Sequence, residues 1–472
     1  MTTMAAPVAS LDDLRGRAVA VLGLARSGAA AARMLADAGA VVTIYDRRPA
    51  GELADAVSSL GDRRVRLALA ADPAEARHLL AASDLIVTSP SISARFPTTD
   101  PWLRDALVAA EAGGAELVSE VELFLRLTRA RVLAVTGTKG KTTTTALLGA
   151  ILEAGGLPHA VGGNIGTPLV ERVAELGADD WAVLELSELQ LPTISRGAEI
   201  AVYTNIAADH LDRHASVEAY RAVKGRLARL TVTRGTVVLN EDDEGCRELS
   251  RSLTGDVRRY GFDDPYLQAS VDEGQIYLDG SVLMPASEVP LTGRHMLSNV
   301  LAAALAAQIA GAQREAISDG IRRFRGVPHR LEEVGERDGV RYVNDSQATI
   351  PLAAIAALEA YAPARVVLIA GGQGKGLDYA PFADAIAERC RAAILVGETA
   401  AELARLIGER VPVRRAATMD EAVRVAGGLA RAGDVVLLSP AAASFDMFSD
   451  YAARGDAFRS AVAAFGAGER AP

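Results

Sequence analysis

Short, mostly apolar runs recur along the chain, separated by longer Ala- and Leu-rich stretches. The runs at 18–22, 41–45, 84–88, 131–135, 181–184, 365–370 and 435–438 have strand length. They lack the apolar/polar alternation of a sheet with one wet face, so both faces are expected to be covered. The stretches between them have helical length. Strands alternating with helices predict an α/β protein with mostly parallel sheets. The pattern falls into three blocks without internal repeat, and the expected domains are 1–125, 126–326 and 327–472.

Most of these runs end in a Gly-rich or polar loop, where open α/β sheets bind ligands. In the first block the run 18–22 enters a turn flanked by Gly23 and Gly28. Ser27 is placed to cap a helix reaching about Ala38, and the following strand ends at Asp46. Such a unit turns a helix N-terminus toward phosphates and an acidic side chain toward a sugar or base. The spacing Gly23-x4-Gly28 is not the GxGxxG fingerprint, so an ordinary tight turn is the competing reading. A second polar loop, Ser89-Pro90-Ser91-Ile92-Ser93, follows the run 84–88.

The strongest motif is Gly137-Thr138-Lys139-Gly140-Lys141-Thr142, directly after the run 131–135. Small residues there let backbone N–H groups wrap a phosphate, with Lys141 on the outer phosphates and the Thr142 hydroxyl on Mg²⁺. Val135 stands where a strict P-loop has its first Gly, so the loop is a variant. Glu185 ends the next apolar run and is a candidate Mg²⁺ ligand. Asp209, His210, Asp212 and His214 cluster downstream. Two histidines four apart suit zinc, but without supporting Cys or an HExxH pattern, His210 near Mg²⁺ is the better reading, and His214 is read as structural. The third block carries three strand-end loops: 344–349, 371–376 with Lys375, and 439–446. Lys375, in a Gly-rich turn, suits an anionic substrate.

Composition sharpens this picture at one point. Of 50 basic residues only Lys139, Lys141, Lys224 and Lys375 are lysine; the other 46 are arginine. A retained lysine is a candidate for chemistry closed to a guanidinium, which stays charged. Lys224 lies in an Arg-rich helical stretch, and a neutral lysine there can take up CO₂ to form a metal-binding carbamate. The net charge of -10 argues against nonspecific nucleic-acid binding. Two cysteines build neither a disulfide framework nor a multi-Cys metal site. The start of the chain has no signal-peptide pattern, and the longest uncharged apolar stretch, 295–313, carries Ser, Asn and Gln and reads as a buried helix. A cytoplasmic protein with no membrane partner is expected.

These motifs, in this order, resemble the Mur ligase superfamily over nearly the whole chain. The markers are GTKGKTTTT at 137–145, GGNIGTP at 162–168, LELS at 184–187 and NIAADHLDRH at 205–214 with Lys224. They continue with GRH at 293–295 and Asn299, PHRLE at 328–332, NDS at 344–346, GGQGKG at 371–376 and SPAAASFD at 439–446. The resemblance implies a Rossmann-like UDP-binding domain, a central P-loop-type ATPase domain and a Rossmann-like amino-acid-binding domain. It implies an ATP-dependent ligase, working through an acyl phosphate in peptidoglycan precursor synthesis, that acts on UDP-N-acetylmuramoyl-L-alanine and glutamate as a monomer.

Residue by residue, the resemblance implies that Gly137, Thr138, Gly140, Lys141, Thr142, Thr143, Asn299, Arg330 and Asp345 hold ATP. Thr142, Glu185, His210 and carbamylated Lys224 would serve two Mg²⁺ ions, with Lys141, His210 and Lys224 as the catalytic set. Asp46, Ser89, Asn164 and Ser187 would face the nucleotide substrate, and Thr349, Lys375 and Ser444 the incoming glutamate.

Three departures bear on the glutamate. Gln347 replaces the lysine usual in D-glutamate ligases, Pro351 follows it closely, and the phosphate loop reads GTKGK. Together these resemble a branch that adds L-glutamate, whose product an epimerase then inverts. L-Glutamate is therefore the expected substrate and D-glutamate the alternative. A folate polyglutamate ligase would lack the first block, and a nucleotide-binding oxidoreductase would not need the phosphate loop with metal ligands behind it.

Overall fold

The computed structural model describes residues 7–90, 92–94, 99–164, 166–207, 216–291, 293–374 and 377–467. The chain forms two compact units, Met1–Phe324 and Arg325–Pro472. Both are α/β and their sheets are mostly parallel.

The first unit holds two sheets. One comprises β1 (Ala18–Leu22), β2 (Val41–Asp46), β3 (Val65–Leu69), β4 (Leu85–Thr88) and β5 (Glu116–Ser119), in the order β3-β2-β1-β4-β5. All its pairings are parallel. The chain switches direction between β1 and β4, and a crevice opens beyond the carboxyl ends of those two strands. Gly23 and Gly28 are explained by the turn after β1. Gly23 has φ +90°, and a Cβ on Gly28 would lie 1.8 Å from the Gly23 carbonyl oxygen. The helix that follows, Arg26–Asp37, is capped at Ala25 with no side-chain hydrogen bond. The expected Ser27 cap is therefore incorrect: Ser27 is already inside the first turn, and the N–H groups of that turn have no side-chain cap.

The second sheet of this unit comprises β6 (Arg131–Thr136), β7 (His159–Gly163), β8 (Trp181–Glu185), β9 (Ile200–Tyr203), β10 (Thr236–Asn240), β11 (Val257–Phe262), β12 (Ala269–Asp272), β13 (Gln275–Leu278) and β14 (Ser281–Pro285). Their order is β14-β13-β12-β11-β10-β9-β6-β8-β7, parallel from β12 to β7, with β13 and β14 added as an antiparallel edge. The helix Arg294–Ile309 is buried from Asn299 to Ala307, and its alanines let it pack closely on the sheet. This helix falls on the uncharged 295–313 stretch. Among the described residues no helix is long and apolar enough to cross a membrane.

The second unit has one sheet. It is built from β15 (Glu332–Arg337), β16 (Val340–Asn344), β17 (Val366–Gly371), β18 (Cys390–Val396), β19 (Val413–Arg415) and β20 (Val435–Leu438). Their order is β15-β16-β20-β17-β18-β19, with only the β15–β16 hairpin antiparallel. Asp338 and Gly339 make its turn at φ +51° and +73°, as a two-residue hairpin of matching twist requires. Apolar clusters cover both faces of the sheet, which accounts for the unbroken apolar runs of β17 and β20.

Candidate active site

The phosphate loop joins β6 to the helix Lys141–Ala154, whose N-cap, Gly140, has φ +86° and no side-chain cap. Residues distant in sequence hold the loop. Asn205 accepts from the Lys139 amide at 2.9 Å through Oδ1 and donates to the Lys139 carbonyl at 2.9 Å through Nδ2. The Thr204 hydroxyl donates to the same carbonyl at 2.5 Å. A Cβ on Gly137 would meet Thr204 Oγ1 at 1.9 Å, and one on Gly140 would meet Asn299 Oδ1 at 2.3 Å. Thr138 Oγ1 lies 2.9 Å from the Tyr220 hydroxyl. Thr142 is buried and Thr143 half-buried, while the Lys139 side chain is exposed.

Two lysines converge on this loop. Lys141 Nζ donates to the carbonyls of Gly137 (2.9 Å) and Thr138 (3.0 Å). Lys224, on the helix Val217–Thr231, is 0% exposed and its Nζ donates to the same Gly137 carbonyl at 2.8 Å. The Tyr203 hydroxyl donates to the Lys224 carbonyl at 2.7 Å and fixes that turn. His210 and His214 lie outside the described residues, as do Asp209 and Asp212.

Glu185 ends β8 and is 1% exposed. Asn164 grips it twice: its amide donates to the Glu185 carbonyl at 2.9 Å, and its Nδ2 donates to Oε1 at 2.7 Å. Glu185 Oε2 is buried and accepts no hydrogen bond among the described residues. A buried carboxylate oxygen without a donor is costly unless a cation meets it. Glu185 and the buried Thr142 hydroxyl therefore fit a hard, oxygen-seeking cation. Among the described residues no group of three or more His, Cys, Asp or Glu side chains gathers around one point.

Two cavities share walls in this unit, and one of them reaches the phosphate loop at Lys141. One, of about 510 Å³, is lined by Lys141, Asn164, Ser187 and Glu188 on one side and by Ala25, Arg26, Ser27 and Ser89 on the other. The second, of about 700 Å³, shares Ala25, Ser89 and Leu189 as walls and extends to Tyr45, Asp46, Arg48 and Trp102. Tyr45 and Trp102 meet edge to face at 6.3 Å. Asp46 lines this cavity, but its carboxylate is already engaged: Leu24 N donates at 2.7 Å, and Arg48 donates through its amide (2.9 Å), Nε (3.0 Å) and Nη2 (2.8 Å). Burial pushes its pKa up, but the Arg48 and backbone donors outweigh that and hold the carboxyl below its ordinary value. Asp46 thus anchors Arg48 and the turn after β1. Ser89 donates to the Leu22 carbonyl at 2.7 Å, and Ser187 donates to Gln190 Oε1 at 3.0 Å. Tyr45, Arg48, Trp102 and Arg26 were not legible as site residues. The one available signal was Trp102, one of only two tryptophans.

In the second unit, Asp345 follows β16 and is buried. Its Oδ1 accepts from the Leu331 amide at 3.2 Å and its Oδ2 from the Ser439 hydroxyl at 2.8 Å. Burial dominates these bonds and the nearby Arg330, pushing the carboxyl up to about 7. Arg330 is exposed, between His329 and Leu331 at positive φ. Thr349 is half-buried and Ser444 buried, each in a loop at the carboxyl edge of the sheet; Lys375 lies outside the described residues. Between the unfolded value of 3.8 and about 7, folded Asp345 keeps a proton that the unfolded chain releases, so rising pH destabilises the fold. Asp345→Asn is therefore expected to gain melting temperature over the parent as pH rises from about 4 to about 7, with no further gain above. Melting curves across that range check this.

The residues match known proteins in the same sense. Residues 135–307 match the Mur ligase middle domain, and residues 329–442 the Mur ligase, glutamate ligase domain. The chain is 40% identical to UDP-N-acetylmuramoylalanine--D-glutamate ligase of Solibacter usitatus, covering 95% of this chain and 98% of that one. It is 38% identical to the ligase of the same name from Geobacter metallireducens, covering 97% and 100%. The fold matches UDP-N-acetylmuramate-alanine ligase of Thermotoga maritima with a TM-score of 0.57 at 18% identity, over 96% of this chain and 100% of that one. With two domain matches and near-complete coverage of these relatives, the chain belongs to the Mur ligase family of ATP-dependent amide-forming ligases.

Proposed function

We propose that the protein joins D-glutamate to the alanyl carboxylate of UDP-N-acetylmuramoyl-L-alanine, using ATP and passing through an acyl phosphate. The observation that carries this reading is the pair of cavities with shared walls. One end offers Tyr45, Trp102 and Arg48, which suit a base and a diphosphate; the other end is Lys141. A nucleotide sugar lying along it brings its far carboxylate to the phosphate loop. The side-chain-uncapped helix start at Arg26 adds backbone donors for the diphosphate between the two ends. In this reading residues 1–125 bind the UDP moiety, 126–326 bind ATP and 327–472 bind the amino acid.

The chemistry is mainly positioning and charge stabilisation. Gly137, Thr138, Gly140 and Thr143 present the loop and first-turn donors to ATP, with Asn299 against Gly140; Arg330 and Asp345 are nucleotide-binding candidates by the family resemblance. Lys141 stabilises charge on the transferring phosphoryl group. Asn164 orients Glu185 and, with Ser187, faces the substrate, while Thr349, Lys375 and Ser444 receive the amino acid. Two Mg²⁺ ions, held by Thr142 and Glu185 and by His210 with carbamylated Lys224, would neutralise charge on the phosphates. The amino group then attacks the acyl phosphate and phosphate leaves.

D-Glutamate is favoured because relatives covered almost end to end carry that name. A second reading, L-glutamate with an epimerase acting on the product, keeps one observation in its favour: neutral Gln347 stands where the resemblance expects lysine. Phosphate release with ATP, Mg²⁺, UDP-N-acetylmuramoyl-L-alanine and each enantiomer separates the two. Faster turnover with D-glutamate is expected, and faster turnover with L-glutamate would replace the first reading by the second.

A further inference from the structure

Arg454 lies in the first turn of the helix Tyr451–Ala467 and is only 1% exposed. A cation gains nothing from that end of a helix, whose dipole is positive there. All three of its nitrogens nevertheless donate to neutral oxygens. Nε donates to Ser346 Oγ at 3.0 Å and Nη2 to the Ser346 carbonyl at 2.9 Å. Nη1 donates to the carbonyls of Ala442 (3.1 Å) and Ala443 (3.0 Å). A Cβ on Gly372 would come within 3.1 Å of Nη1, so the guanidinium also lies under the loop after β17. Among the described residues no carboxylate pairs with it; Asp446 acts only at longer range.

A buried charge normally keeps a counter-ion, because desolvation is expensive. Here burial lowers the guanidinium only to about 10, so it stays charged at neutral pH. It bonds the loops after β16 and β20, which carry Thr349 and Ser444, and the loop after β17 lies against it. We propose that Arg454 is a positioning residue for the incoming dicarboxylate amino acid: it fixes the strand-end loops that receive glutamate and supplies, from beneath them, the positive charge that a dicarboxylate completes. This rests on the reading of those loops as the glutamate site.

Three variants test it, each assayed for the KM of glutamate, ATP and the nucleotide substrate. Arg454→Gln is expected to raise the KM for glutamate by roughly tenfold, the size of one charge interaction at a partly screened distance, with the other two KM values little changed. Arg454→Lys, which keeps the charge with fewer donors, is expected to recover most of that loss. Asp446→Asn leaves an oxygen to accept from the Glu398 amide, as Oδ2 does at 3.0 Å, while removing the nearest negative influence. It is expected to lower the KM for glutamate, a gain that no folding defect produces. Equal KM changes for all three substrates, no recovery in the lysine variant, or no gain with Asp446→Asn would overturn the inference. Failure of the unsubstituted enzyme to use either glutamate enantiomer would instead overturn the functional reading on which it rests.

Discussion

Replacing Lys141 with alanine is expected to lower turnover by roughly a thousandfold, the upper end for removing one preorganised charge donor at a reacting phosphoryl group. The melting temperature should move little. Lys141 is half-buried at the cleft wall, and it donates to the Gly137 and Thr138 carbonyls of the loop proposed to cradle phosphate. Losing those two bonds leaves the Gly137 carbonyl still accepting from Lys224, whereas losing the ammonium removes a fixed cation from the transferring phosphoryl group. Lys141→Arg should not restore activity. A guanidinium is planar and larger than an ammonium and cannot sit between two carbonyls 2.9 and 3.0 Å from a single nitrogen. Phosphate release together with thermal melting checks both statements. An active arginine variant would show that charge alone matters at this position.

Lys224→Ala should cause a loss of at least a hundredfold, partly reversed by formate or acetate, since it removes a group proposed to hold a cation at the phosphates. The side chain is completely buried, so truncation also leaves a cavity, and some loss of stability, on the order of 2–4 kcal/mol, is expected whatever its chemical role. The rescue distinguishes the two contributions. A carbamate is a carboxylate on a nitrogen, and a small free carboxylate entering the vacated space supplies the same charge and oxygen donors. A merely structural amine bonded to Gly137 would be indifferent to added carboxylate. Lys224→Arg should be inactive and unrescued, because the guanidinium fills the space and stays cationic. Absence of rescue in an alanine variant that still folds would remove the carbamate from the mechanism.

Several parts of this protein were legible from residue order alone because their chemistry is contiguous in the chain. The apolar runs at 18–22, 131–135 and 435–438 became parallel strands covered on both faces, since no side of them could meet water. A strand, a Gly-flanked loop with two lysines, and a helix can build little other than a phosphate loop, and Glu185 at the end of a buried strand was placed by the same logic. The scarcity of lysine singled out Lys224 before its location was known.

What only the tertiary structure decided depends on register and on contacts across long separations. Lys224 reaches the Gly137 carbonyl from 87 residues away, a meeting set by the pairing of β9 beside β6 and invisible to local pattern. Asn205 clamps Lys139, and Asn299 braces Gly140, for the same reason. Ser27 satisfied every local rule for a helix cap, yet the close approach of Gly28 to the Gly23 carbonyl starts the helix earlier and leaves that end without a side-chain cap. Asp46 lines the larger cavity, and folding also brings Arg48 and the Leu24 amide onto its oxygens. Arg454 was one arginine among 46 until folding buried it beneath the strand-end loops, where among the described residues it has no carboxylate partner. Sequence fixes which groups are available and which backbone geometry each segment prefers. Burial, which sets what a charge costs and which partner it must find, exists only once the sheets have brought distant segments together.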